Sequence, residues 1–503
     1  MCVYADESET TKANFEKQPV CRTIELMIQL YNTLTRRKDK LTPLDGQTVR
    51  IYTCGLTVYS QPHIGNWVGY IYWDVLVRLL RWQDISVIRT QNITDVGHLT
   101  SDDDNGEDKM EKGARREGKT AWDVAKQYIA IAGYEAYEVL KLVRPDHLVR
   151  ATDYIQQQID FARGLDEKGF LYKIDGDGMY FDTSRLADYG KLARLDVAGL
   201  EAGARVSVEG KRNITDFAVW KFSPTNTKRD MEWDSPWGVG FPGWHLECST
   251  IARETLGDTI DIHTGGIDHI PVHHTNEIAQ SESLTGQQFA HIWLHNNHIK
   301  VDGHKMSKSL GNIITLSDIT ARGFSPMAFK LAILSKHYQT EGNFTWDILE
   351  AAQARLDHWR GYAALRHQTH DTLDDDDEKD EQEGTVSLLA ARQALVEKLN
   401  DDLDTPGALA LIDEAFSRLD HAPLEKIHRG GLLQLIEIID EVLGLDLAAS
   451  TPDITDDLKR LIIQRRSARA EKDWQESDRI RDELLVAGIA IRDTPSGSIW
   501  TWK

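Results

Sequence analysis

The chain has 503 residues, 41% apolar and 27% charged, and a formal net charge of −22. That length predicts two to four domains around at least one large core. No run of 18 uncharged apolar residues argues for a membrane span, and Cys2, Cys21, Cys54 and Cys248 are too few and too scattered for a disulfide framework.

The opening stretch MCVYADESETTKANFEKQPV lacks a basic start and an apolar centre, which predicts no signal peptide and a cytoplasmic protein. From Met27 to Ser60 the pattern is extended segments and turns, ending in the strand TVRIYTC. Gly65 to Trp82 follows as a helix, because Val68, Ile71, Tyr72, Val75, Leu76 and Leu79 recur at helical spacing. ISVIRTQNIT, Ile85 to Thr94, is the next strand. Strand–helix–strand order predicts a parallel sheet with a right-handed crossover. Ligands bind such sheets beyond the strands' carboxyl ends, where Cys54 and the NITD of Asn92 to Asp95 fall.

Three motif matches in this chain fail on context. GARREGKT, Gly113 to Thr120, has the phosphate-loop spacing but follows the charged NGEDKMEK instead of a buried strand. GVGFPG, Gly238 to Gly243, has dinucleotide spacing, but Pro242 stands where the helix must open. SDDDNGEDKMEK puts Ser101 and Lys112 where a calcium loop needs carboxylates.

Ala151 to Asp182 reads as a helix and a glycine-punctuated hairpin inserted into the sheet. Strands resume at TIDIHTGG, Thr259 to Gly266, and at Ala290 to Gly303. Beyond about Thr345 the pattern is almost wholly helical, interrupted by the acidic run Asp374 to Gly384, a solvated linker. A last module, Asp456 to Lys503, closes on a turn and a short strand.

Cys54, Cys248, His273 and Glu277 come from three segments at the top of this sheet, with His273 and Glu277 four apart at a helix start. Thiolate, imidazole and carboxylate are the ligand types zinc accepts. Two core cysteines beside an ordinary helical pair would have the same spacing. Two further segments bear on the choice. HIGN, His63 to Asn66, opens a helix whose N-terminus favours anions, and HKMSKSLGN, His304 to Asn312, sets two ammonium groups on a flexible loop suited to a leaving pyrophosphate.

With these motifs, together with PGWHLECS, HHTNEIAQSE, DDLDTPGAL and the tail KDWQESDRIRDELLVAGIAIRDTPSGSIW, the chain resembles class I cysteinyl-tRNA synthetases over nearly its whole length. The resemblance implies an α/β fold: a Rossmann-type parallel sheet with an inserted module, then a helical bundle and a small anticodon-binding module. It divides the chain into an extension (1–25), the first half of the catalytic domain (26–148), a connective insert (149–230), and the second half with the metal ligands (231–300). A signature-loop and stem-contact region (301–345), a bundle (346–455) with an acidic linker (371–384) and an anticodon module (456–503) follow.

The resemblance also assigns roles. Cys54, Cys248, His273 and Glu277 would bind one Zn2+; His63, Asn66, Lys305 and Lys308 would handle ATP, with Mg2+, and the adenylate. Thr94, Trp244, His263 and Asp268 would line the cysteine pocket. The implied reaction joins L-cysteine to tRNA(Cys) at the expense of ATP, in a monomer with no membrane contact. A ligase that delivers cysteine to an amino sugar, or an inactive nucleotide- or RNA-binding paralogue, is the alternative. Leu56, Phe241, Thr264 and Thr275 depart from the family pattern.

On the tail, Lys459, Arg460, Arg465, Arg466, Arg469 and Lys472 share one helical segment, a phosphate-binding pattern on an acidic protein. Trp474, Trp500 and Trp502 are its stacking candidates. Trp474 and Trp500 serve equally well as a small core, and Trp502 is the freer of the three.

Overall fold

Short β-branched runs separated by turns form the scaffold, which the computed structural model describes over residues 28–97, 108–195, 210–224, 229–307, 309–369, 386–494 and 497–502. The strands Thr48–Thr53 (β1), Ser86–Ile93 (β2) and His147–Arg150 (β3) pair in parallel. An insertion then builds its own antiparallel sheet from Leu171–Ile174 (β4), Gly178–Phe181 (β5), Phe217–Phe222 (β6) and Gly240–Pro242 (β7), backed by the helix Ile155–Glu167. Phe161, Leu165, Phe181, Phe217 and Trp220 make its separate core. The strand β7 carries this sheet past residue 230.

The chain returns to the parallel sheet with Ile260–Gly266 (β8) and Ala290–Asn296 (β9), giving the order β9-β8-β1-β2-β3. Strand β1 therefore lies between a strand close in sequence and one about 200 residues away; Ile51 pairs with Ile262 and Thr53 with Thr264. This is the switch point at which a parallel sheet opens a crevice.

Between β1 and β2 runs helix α1, Ile64–Trp82, with Trp67, Ile71, Trp73, Val75, Leu76 and Leu79 all buried. Apolar residues on nearly every face mark a helix enclosed by its neighbours. Its start is built by Asn66, whose side chain accepts from the His63 N–H at 2.9 Å.

The two glycine-rich matches belong to a helix end and a strand edge. GARREGKT lies in the helix Lys109–Glu117 and its left-handed cap Gly118, and Lys119 is tied to the Gln127 side chain. GVGFPG requires a correction: a helix, α2 (Trp244–Leu256), does open immediately after it, with Pro242 just outside. Its glycines serve strand packing, since a side chain on Gly240 or Gly243 would strike the backbone carbonyls of Lys221 and Ala218. The calcium-loop resemblance ends in the start of the helix Lys109–Glu117; its residues 101–107, the extension 1–25 with Cys2 and Cys21, and the acidic linker 371–384 lie outside the described residues.

Helices Trp346–Ala364, Leu389–Asn400, Thr405–Ser417 and Arg429–Ile438 form the bundle, and their core is continuous with that under α1. The tail holds two helices, Asp456–Ala470 and Trp474–Val486, and a hairpin of Ile489–Thr494 with Gly497–Trp502. No helix among the described residues is long and apolar enough to cross a membrane.

One buried ionic node joins α1 to the bundle. Asp74 and Lys330, both fully buried, meet at 3.0 Å, and Arg78 reaches Asp74 at 2.7 Å. The Lys330 ammonium also donates to the carbonyl of Gly444 at the end of a bundle helix. Burial draws the Lys330 pKa below its usual value despite the charge of Asp74. Removing one partner leaves a buried charge uncompensated, so Asp74→Ala is expected to cost about 3–5 kcal/mol, read as a lower urea midpoint.

Candidate active site

Strand β1 ends at Thr53, so Cys54 emerges at the crevice beside β8. Gly55 has no room for a side chain, because an added Cβ would run into the Asn92 carbonyl, and its N–H donates to Asn92 Oδ1 at 2.6 Å. Cys248 projects from the buried first turns of α2. His273 and Glu277 lie one turn apart on helix α3, His273–Thr285. Their four ligand atoms all lie within 4.8 Å of one another, and all four side chains are buried.

The electrostatics suit a metal. Burial resists ionisation of Glu277, but the charges of His263 and His273 outweigh it and hold the carboxyl at about 2. The same pairing raises His273 to about 10 against the effect of burial. Burial also opposes a thiolate at Cys54, yet a hydrogen bond from Cys248 and the charge of His274 bring its pKa well below the usual value. Cys248 is driven the other way by burial and by its neighbour Cys54. The two sulfurs are thus driven in opposite directions, and a divalent cation would favour ionisation of both.

Three of the four residues expected in the amino-acid pocket surround this cluster. His263 Nε2 meets Glu277 Oε2 at 2.8 Å. The ring of Trp244 packs 4.3 Å from that of His273. Thr94 Oγ1 donates to Glu247, next to Cys248, and Asn92 Nδ2 donates to the same oxygen. Asp268 is exposed, on the short turn Ile267–His269 after β8.

The sequence reading missed His274, which meets Cys54 Sγ at 3.4 Å and, through its other ring nitrogen, His295 at 2.8 Å. His295 in turn pairs with Thr33 Oγ1 at 2.7 Å. A second donor set, Cys54, His263, His274 and Glu277, shares two members with the first. The doubled histidine of HHTNE was the available signal, since His274 and Glu277 are i and i+3 on a helix. Nothing local marked Glu247 or the Tyr70 hydroxyl, which donates to the Cys54 carbonyl at 2.9 Å.

The signature loop packs on the start of α1. The Ile64 N–H donates to the Ile314 carbonyl at 2.8 Å, and the Met306 methyl occupies the space a side chain on Gly65 would need. Asn312 closes the loop, accepting from the Ser307 N–H and donating to the Lys305 carbonyl. Lys305 is exposed beside the helix start that bears His63 and Asn66. Lys308 lies outside the described residues.

The family departures are accommodated. Thr264 donates to the Tyr52 carbonyl, Thr275 caps the Ile270 carbonyl, and Leu56 packs on the core. The Arg229 guanidinium sits 3.7 Å from the centre of the Phe241 ring.

In the tail, Trp500 is buried in a core with Ile462, Ile480 and Leu484, and Gln368 holds its backbone N–H and C=O through one side-chain amide. Trp474 is 57% exposed and Trp502 45%. The basic helix is partly committed internally, because Arg465 and Arg469 pair with Asp493, Lys459 with Asp453 and Arg460 with Asp457.

A parallel sheet with a switch-point crevice, a histidine-bearing helix start and a lysine loop beside it define a class I aminoacyl-tRNA synthetase. Solved structures agree on the fold. Methionyl-tRNA synthetase of Mycobacterium tuberculosis, in complex with methionyl-adenylate, covers 80% of this chain and 92% of its own at a TM-score of 0.57 and 16% identity. The leucyl enzyme of Agrobacterium radiobacter K84, in its ternary complex, gives 0.58 at 12% identity over 81% and 86%. The pattern for the class I (C) tRNA synthetase catalytic domain matches residues 40–354, and that for the cysteinyl-tRNA ligase anticodon binding domain matches 451–500. Cysteine–tRNA ligase 1 of Burkholderia lata is 45% identical over 93% of this chain and 96% of its own, and the Novosphingobium aromaticivorans enzyme 39% over 95% and 97%. The chain belongs to the cysteine–tRNA ligase family.

Because Gly55 fits only without a side chain, Gly55→Ala is expected to push Cys54 out of the cluster. Uptake of added Zn2+ should fall, and the thiolate–cobalt absorption on titration with Co2+ should weaken, while far-ultraviolet circular dichroism stays unchanged.

Proposed function

We propose that this chain activates L-cysteine with ATP and Mg2+ to cysteinyl-adenylate and transfers the acyl group to the terminal ribose of tRNA(Cys), with zinc selecting the substrate thiolate. The observation that carries this reading is the buried four-donor cluster of Cys54, Cys248, His273 and Glu277 next to the start of α1. Its donors fit zinc in type and number. When bound, zinc supplies a soft acceptor that favours a thiolate over a serine hydroxyl, a distinction an apolar pocket makes by only about 1–3 kcal/mol.

The chain's own residues supply position and charge. His263 orients Glu277, and Trp244 walls the substrate side of His273. Thr94 and Asp268 complete the cysteine pocket in this reading. His63, Asn66 and the positive end of the α1 dipole receive the ATP phosphates. Lys305 and Lys308 close over the leaving pyrophosphate, so activation is an in-line displacement driven by orientation and charge stabilisation.

The tail reads the anticodon in this reading, with Trp474 and Trp502 as exposed stacking surfaces and Trp500 as core. The Arg469 guanidinium lies 5.7 Å from the Trp474 ring and leaves one face for a base.

ATP–pyrophosphate exchange with each of the twenty amino acids tests the proposal: cysteine alone should support it, and exchange driven by any other amino acid would overturn it. In Cys248→Ser, zinc and cysteine-dependent exchange should be lost together, and full zinc content would refute the ligand set. Trp474→Ala should leave exchange intact and raise the KM for tRNA roughly 5- to 100-fold, the equivalent of about 1–3 kcal/mol for one stacked base. Equal loss of both activities would mean that the tail is only structural.

A further inference from the structure

Directly behind the histidine loop sits a buried acid that the activation chemistry above does not use. Glu135 is 5% exposed and opens a single wide helical turn, Glu135–Val139, that continues the helix Ala121–Tyr134. Such π-type turns interrupt helices where a side chain must be re-aimed, often at functional sites. Here the re-aimed group is the carboxylate, and both its oxygens are engaged by residues flanking the HIGN segment. Glu135 Oε1 accepts from the Gln61 amide at 3.2 Å, two residues before His63. Glu135 Oε2 accepts from the Trp67 indole N–H at 3.0 Å, one residue after Asn66.

The grip extends in both directions. The Gln61 amide also donates to Ser317 Oγ at 3.1 Å, in the helix Leu316–Ala321 that follows the lysine loop. Trp67, 2% exposed, packs 5.9 Å from the ring of Tyr70, whose hydroxyl holds the Cys54 carbonyl. Burial raises the Glu135 pKa, and the Gln61 and Trp67 hydrogen bonds offset part of that cost.

We propose that Glu135 is a positioning residue for ATP: its two hydrogen bonds clamp the histidine loop at both ends and, through Gln61 and Ser317, set its distance from the lysine loop. The inference rests on the reading of His63 and Asn66 as nucleotide ligands. A carboxylate serves because two donors must be satisfied from one side chain, and a planar group with two acceptor oxygens spans them. The donor cluster of Cys54, Cys248, His273 and Glu277 includes neither Glu135 nor Gln61, so the clamp acts on nucleotide affinity and not on zinc.

Full-length Glu135→Ala and Glu135→Gln, assayed by cysteine-dependent ATP–pyrophosphate exchange, test this. In Glu135→Ala the KM for ATP should rise roughly tenfold, on the scale of one or two net hydrogen bonds. The KM for cysteine and the zinc content should not move. Glu135→Gln keeps one acceptor for Trp67 and should fall between wild type and the alanine variant. Should Glu135→Ala fail to fold, Gln61→Ala provides the same test, because Gln61 is an exposed side chain that touches both Glu135 and Ser317. Unchanged KM for ATP with a lowered melting temperature would make the clamp purely structural and overturn the proposal. A parallel loss of zinc would overturn it too, by moving the effect to the metal end. Wild-type protein without cysteine-dependent exchange would instead refute the functional reading itself.

Discussion

A carboxylate with no exposed surface cannot stay ionised without partners, and Glu277 dictates much of what surrounds it. Its two oxygens are met by His263 at 2.8 Å and His273 at 3.0 Å, and Cys54 Sγ stands 3.9 Å from the oxygen that His273 meets. Burial of a lone carboxylate costs several kcal/mol, so these neighbours are a condition of the fold as well as of the site. The demand spreads outward. Gly265 has no side chain because one would meet the rings of His269 and His274. His274 must lean on His295, and His295 on Thr33, for each ring nitrogen to find a partner.

Helix α1 turns this local requirement into an active-site geometry. Its start carries His63 and Asn66 and bonds to Ile314 beyond the lysine loop. One turn further on, Tyr70 holds the Cys54 carbonyl, and another turn on, Asp74 engages Lys330 and, through it, the bundle. Nucleotide side, metal side and bundle are thus each anchored at a different turn of one helix enclosed by apolar neighbours.

The insert and the tail are organised differently. Each has its own small core, and the tail is latched to the bundle by a polar grip in which Gln368 pairs with both backbone groups of Trp500. The same arrangement explains why a basic helix in an acidic chain is only partly open to phosphate. Asp493, on the hairpin, takes Arg465 and Arg469.

By itself the sequence determined the local and the chemical. Periodicity placed α1 and the flanking strands within a residue or two, and Cys54, PGWHLECS and HHTNE offered the thiol, imidazole and carboxylate groups that the fold brings together. Those signals are legible because helix and strand periods, helix starts and ligand chemistry are properties of neighbours along the chain. Tertiary structure decided what depends on residues far apart. It buried Trp500 and exposed Trp474, opened a helix after Pro242 where the sequence had argued against one, drew His274 and His295 into the cluster, and set Glu135 behind the histidine loop. No local pattern records these outcomes, because burial and pairing are set by which segment arrives opposite, and β1 meets β8 across about 200 residues of chain.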